Sequence, residues 1–110
     1  MSDKLAGRLG ICRRSGHLAV GSDAVIGWLH TRKARMVLLA ADVSPKTEKE
    51  IRFAGRENPV PIGRLPYGKE EVGRLLGLQK PVGVVATDDP GFARAFAKEA
   101  NDSHKEEDAL

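Results

Sequence analysis

The chain has 110 residues, 41% of them hydrophobic and 30% charged, with a formal net charge of +3. That length fits one domain with a modest core; no apolar run approaches membrane-spanning length, and Lys4, Arg8, Arg13 and Arg14 break up the N-terminal apolar residues that a signal peptide would need. The single cysteine, Cys12, excludes an internal disulfide or a cysteine metal cluster and points to a reducing, cytoplasmic setting.

Leu5, Leu9 and Cys12 fall on one helical face, with Arg13 and Arg14 in the last turn and Gly16 closing the helix. A short extended piece, HLAV, leads to Gly21. Gly21, Ser22 and Asp23 read as the start of a second helix, where unpaired backbone N–H groups make a natural anion site. Val25, Trp28 and Leu29 give that helix its apolar face, which places Trp28 in the core. MVLLAA, residues 36–41, is a continuous apolar run of the kind expected of a strand covered on both sides.

Ser44-Pro45 is an N-cap followed by proline at the first helical position, opening a third helix through Ile51 and Ala54. VPIGRL predicts a second strand. Val72, Leu75 and Leu76 mark a fourth helix that Gly77 closes. VGVVAT, 82–87, predicts a third strand. Asp89-Pro90 repeats the cap-and-proline device, and Phe92, Ala93, Phe96 and Ala97 form the face of a fifth helix. This alternation predicts an α/β fold, a three-layer α/β/α sandwich with a small mixed sheet.

The charge is unevenly spread. Residues 1–98, read as a single domain, carry 17 Lys and Arg against 10 Asp and Glu. Residues 99–110 carry 5 acids against Lys105 alone. That tail has no apolar pattern and is expected to be disordered. A basic body of this kind suits a polyanionic partner.

Little in the chain suggests catalysis. His17, His30 and His104 lie in different segments without ligand spacing, and no nucleophile–base constellation is present. Residues 63–70, GRLPYGKE, fit G-x-x-x-x-G-K but put Glu70 where Ser or Thr should hold magnesium. Pro66 also removes a donor that should cradle phosphate. A strand-to-helix turn explains the stretch better than a nucleotide site. No cofactor, metal, membrane contact or small-molecule substrate is expected, and the protein reads as a non-enzyme.

Three stretches carry a resemblance that covers about residues 5–98: GHLAVGSDAV, RKARMVLLAADVSP, and VGRLLGLQKPVGVVATDDPGFARAF. Together they resemble the kink-turn-binding ribosomal protein family of the L-seven-Ae type, in its bacterial YlxQ-like branch. The resemblance implies an α/β/α sandwich that binds structured RNA, kink-turn-like or ribosomal, through the start of the second helix and the loop before the last strand. It also implies a ribosome- or translation-linked setting, with ribosome-associated proteins as further partners. In such proteins the second helix opens as G-x-N-E-x-x-K, the Asn and Glu meeting sheared G·A pairs and the Lys meeting phosphate.

Here Gly21 matches the glycine, with Ser22 after it. Asp23 stands at the Asn, Ala24 at the Glu and Gly27 at the Lys. Asp23 can accept from a guanine edge, or it can serve only the helix dipole. Ala24 offers apolar contact alone. Gly27 removes a cation and costs the helix about 1 kcal/mol relative to Ala. The loop 77–83 occupies the apolar-loop position, with Lys80, Pro81 and Val82 as its candidate contacts.

Arg13, Arg14, Arg32, Lys33 and Arg35 flank the second helix and are expected to supply phosphate contacts on the same face. Tyr67, in the turn, is the one ring expected to be exposed. The competing reading, supported by the substitutions at 23, 24 and 27, is a protein-interaction module that keeps the fold and has lost kink-turn recognition.

Overall fold

A computed structural model describes the chain from Asp3 to Asp108, with side chains through Ala100. In order the elements are α1 (Lys4–Arg14), β1 (Leu18–Val20), α2 (Ser22–His30), β2 (Met36–Leu39), α3 (Pro45–Ala54), β3 (Ile62–Arg64), α4 (Lys69–Leu75), β4 (Val84–Thr87) and α5 (Pro90–Asp108). The expectation of a disordered acidic tail falls mostly on residues 101–110, whose side chains lie outside the described residues.

The four strands form one mixed sheet in the order β1-β4-β2-β3. β4 pairs antiparallel with both β1 and β2, while β2 pairs parallel with β3 across the α3 crossover. α2 and α3 pack together over one part of the sheet, with α2 against β1 and β4. α5 packs on β2, β3 and β4, and α1 lies against α5, α4 and β1. Every residue of β2 and β4 is buried, as expected of central strands covered on both faces. The expected α/β/α sandwich is thus the observed one.

Short-range chemistry sets most helix ends. The Ser44 hydroxyl accepts from Thr47 N–H at 3.1 Å, and the Asp89 carboxylate accepts from Phe92 N–H at 2.8 Å. α1 ends as expected: Gly16 N–H donates to Arg13 C=O and His17 N–H to Cys12 C=O, both at 3.0 Å. Glu48 ties α3 to β3 by accepting from Arg64 and Arg52, which hold its carboxyl below the usual range.

Two expectations about aromatic residues need correction. Trp28 is only half-buried, because Lys33 rather than core covers its ring, the ammonium lying 4.5 Å from the ring centroid. Tyr67 is buried at 6% exposure: its backbone carbonyl accepts from Ala41 N–H, and that strand-end bond pulls the turn inward.

The GRLPYGKE turn is also settled by a contact. Asp42 Oδ1 accepts from Lys69 N–H at 2.7 Å. A carboxylate of the chain itself therefore sits at the start of α4, where a phosphate would have to go.

Gly73 is the tightest backbone approach in the fold. A Cβ there would run into the carbonyl oxygen of Lys80, which is main chain and cannot rotate away. Gly73→Ala should destabilise the fold by about 2–3 kcal/mol, as overpacking against rigid backbone does. A urea melt would check this, and an unchanged midpoint would mean that the 77–83 loop moves freely off α4. Asp89→Ala should cost about 1 kcal/mol through loss of the α5 cap, again read from the midpoint at unchanged m-value.

Candidate nucleic-acid interface

Gly21 is the N-cap of α2 at φ 93°, ψ 160°, a left-handed conformation that only glycine adopts easily. Its N–H donates to Val84 C=O at 2.9 Å and its carbonyl accepts from Val25 N–H at 3.1 Å. One residue thus ends the β1–β4 ladder and begins the helix. No side chain caps this end. The N–H groups of Ser22, Asp23 and Ala24 consequently have no intrahelical partner and carry the positive end of the dipole. Ser22 is half-buried, whereas Asp23, Ala24 and Gly27 are exposed.

The 77–83 loop arrives at the same place from the other direction. Leu78 N–H donates to Gly73 C=O at 2.8 Å and Val82 N–H to Lys69 C=O at 3.0 Å. Gly83 C=O then accepts from Ala40 N–H at 2.9 Å, and Val84 follows as the residue bonded to Gly21. Lys80 and Pro81 stand exposed at the tip. Val82 does not: it is 2% exposed, its side chain anchored in the core, so it props the loop and offers no surface contact.

Lys69 joins this neighbourhood although the motif comparison passed over it. Its methylene stem lies 3.7 Å from where a Gly83 Cβ would be, against the strand-entry residue beside Gly21. The only sequence signal for it was the Gly-Lys pair of the phosphate-loop look-alike. Asp23 and Asp42 are the acids of this end, Lys69 and Lys80 its cations.

Arg32 and Lys33 are elsewhere. The nine residues of α2 span about 13 Å at 1.5 Å per residue, so its two ends lie at opposite edges of the sheet. Gly21 sits beside the first residue of β4, while Lys33 reaches Asp88, just past the last, with its ammonium 3.8 Å from Oδ2. The expectation that Arg32 and Lys33 share a face with Gly21 and Lys80 therefore fails. The reason is topological: α2 runs back along the sheet to deliver the chain to Met36, which is paired with Thr87.

At that far edge the other Asp88 oxygen is 2.8 Å from His17 Nδ1. A carboxylate can only accept, so Nδ1 carries the proton. Cys12 is fully buried there, its Sγ 3.4 Å from Thr87 Oγ1, and burial pushes its thiol up. It behaves as a small neutral core residue.

Comparison with known proteins agrees with this architecture. The RNA-binding protein YlxQ of Bacillus subtilis (strain 168) is 34% identical over 89 residues, covering 77% of this chain and 83% of its own. The RNA-binding protein YlxQ of Enterococcus faecium is 30% identical over 86 residues, covering 78% and 81%. A solved structure from Bacillus halodurans, of a protein with unknown function, superposes with a TM-score of 0.81 at 23% identity, covering 92% of this chain and all of that one. Residues 3–97 match the ribosomal protein L7Ae/L30e/S12e/Gadd45 family, and the chain belongs to that family.

Proposed function

We propose that this protein is a non-catalytic binder of structured RNA, acting in the cytoplasm in a ribosome- or translation-linked role. Its contact surface is the start of α2, at Gly21, Ser22, Asp23 and Ala24, together with Lys69, Lys80 and Pro81. The observation that carries the reading is the Gly21 N–H to Val84 C=O bond. It sets an uncapped helix start, with its free donors, directly beside a rigid loop bearing an exposed lysine. The family membership and the printed function of the two YlxQ relatives support the same reading.

Within this surface the backbone supplies what the side chains have lost. Free N–H donors and a side-chain-free Gly21 allow close approach to a phosphate or base edge. Asp23 adds an acceptor suited to a guanine edge. Lys69 and Lys80 hold phosphate without regard to sequence. Gly27, one turn further along, removes the cation that a kink-turn binder places there, so selectivity for a kink-turn is weak and shape recognition dominates.

Titration against a kink-turn with intact G·A pairs, the same RNA with those pairs disrupted, and a plain duplex tests the reading at two salt concentrations. Salt-dependent binding is expected, with at most a modest preference for the intact kink-turn. Absence of binding to all three would remove the proposal and favour a protein partner. Lys69→Glu with Lys80→Glu should weaken binding to the kink-turn RNA and lower the salt slope by about 2.

The positions that depart from the family pattern are open to substitution. Asp23, Ala24 and Gly27 are exposed, and nothing lies within 4 Å of a Cβ at Gly27. Asp23→Asn, Ala24→Glu and Gly27→Lys together should therefore fold normally, gaining up to about 1 kcal/mol of helix stability at position 27. The triple variant should also raise affinity for the intact kink-turn over its disrupted form by an order of magnitude or more. Equal affinity for the two RNAs would show that the α2 start is not where G·A pairs are read.

A further inference from the structure

The far edge of the sheet is organised around Thr87 and Asp88 as tightly as the near edge is around Val84. Arg35 N–H donates to Thr87 C=O at 2.7 Å, and Cys12, one residue before Arg13, has its Sγ 3.4 Å from Thr87 Oγ1. Lys33 reaches Asp88. The end of α1, the end of α2 and the entry to β2 are thus brought to one place, and with them Arg13, Arg14, Arg32, Lys33 and Arg35. All five are exposed. Among the described residues no acid lies within ion-pair range of Arg13, Arg14, Arg32 or Arg35, and Lys33 alone shares Asp88 with His17. Asp89, the other acid here, is engaged as the α5 cap.

Arg32 adds an observation of a different kind. It occupies the position just past the α2 cap at φ 61°, the left-handed region, and no other non-glycine residue among those described has positive φ. The corresponding positions after α1 and α4 are Gly16 and Gly77, at φ 84° and 75°. Glycine is the residue this conformation favours. At α2 alone the chain puts a long cation there, at a cost in backbone strain that the fold does not require.

We infer that this edge is a second RNA contact, which takes the phosphate backbone of a helical RNA segment while the α2 start engages a different part of the same RNA. The inference rests on the RNA-binding function proposed above. Guanidinium groups in a ring suit phosphates by charge and by their forked donors. The lack of carboxylate partners leaves those donors available. The two surfaces lie on opposite edges of the sheet, about 13 Å apart along α2, so one RNA must bend or branch to meet both.

The test uses the full chain, a kink-turn RNA with long helical arms and a plain RNA duplex, titrated over a range of salt. Three variants are compared: Arg32→Gly, the triple Arg13→Gln, Arg14→Gln, Arg35→Gln, and the near-edge pair Lys69→Glu, Lys80→Glu. Arg32→Gly should raise Tm by relieving strain while lowering duplex affinity severalfold and the salt slope by about 1. Because that variant is stabilised, its loss of binding cannot come from unfolding. The triple variant should lower the duplex slope by roughly 2–3, yet leave hydroxyl-radical protection at the kink-turn loop in place.

Loss of duplex binding in the far-edge variants alone, with the near-edge pair without effect on either RNA, would retain this edge and remove the proposed α2 surface. Unchanged duplex affinity and slope in both far-edge variants would overturn the second contact and leave the first standing. Tighter binding of polyglutamate than of duplex at this edge would overturn it in favour of an acidic protein, and no binding of either RNA by the wild type would overturn both.

Discussion

The whole molecule depends on the position of β4 in the middle of the sheet. It is last of the four strands in the chain, yet it hydrogen-bonds β1 on one side and β2 on the other. None of its residues reaches solvent. Until β4 is inserted, β1 has no neighbour, and the β2–β3 pair stands as a two-stranded ribbon with an unpaired side. The non-local pairing joins Leu18 to Thr87, so most of the chain must be closed into a loop before the sheet is complete. The cap-and-proline starts of α3 and α5 reduce that conformational search by fixing two helix directions locally.

β4 also determines where the charges go. Its first residue receives the Gly21 N–H and follows the 77–83 loop; its last is followed by the Asp88 that holds Lys33 and His17. α2 lies alongside and shows its donor-rich start at one edge and its cation-rich end at the other. A short helix on a short strand thus separates two electrostatically distinct regions. At the near edge, backbone dipoles dominate and the side chains are mixed in sign. At the far edge, permanent side-chain cations dominate. The first kind of surface reads shape and acceptor position, while the second responds to charge density.

Features that depend on local chemistry were legible in the sequence. Ser44-Pro45 and Asp89-Pro90 marked helix starts, Gly16 and Gly77 marked ends, and MVLL stood out as a strand covered on both faces. What could not be read depends on pairing between distant segments. Nothing in the residues around Lys69 says that Asp42, 27 positions earlier, caps its helix. Nor does Val82, an apolar residue in an apparent loop, announce that it faces the core. The assignment of Arg32 and Lys33 to the Gly21 face failed because periodicity places residues around a helix axis but says nothing of which sheet edge each helix end meets. That requires the strand order. Tyr67 was misplaced for a related reason: turn residues are usually exposed, and only the Ala41–Tyr67 bond turns this one inward.

The contact between Gly73 and the Lys80 carbonyl has a consequence for how any ligand is met. The loop that carries Lys80 and Pro81 is wedged against α4 and bonded at Gly73, Lys69 and Ala40, so it holds its shape before anything arrives. A surface of this kind gives up little conformational entropy on association, and the affinity it reaches is correspondingly undiluted by ordering its own chain. The adaptation must then come from the other side. The pace of complex formation would follow how often the partner visits the bound shape unaided, and the protein would act as a fixed mould that selects it.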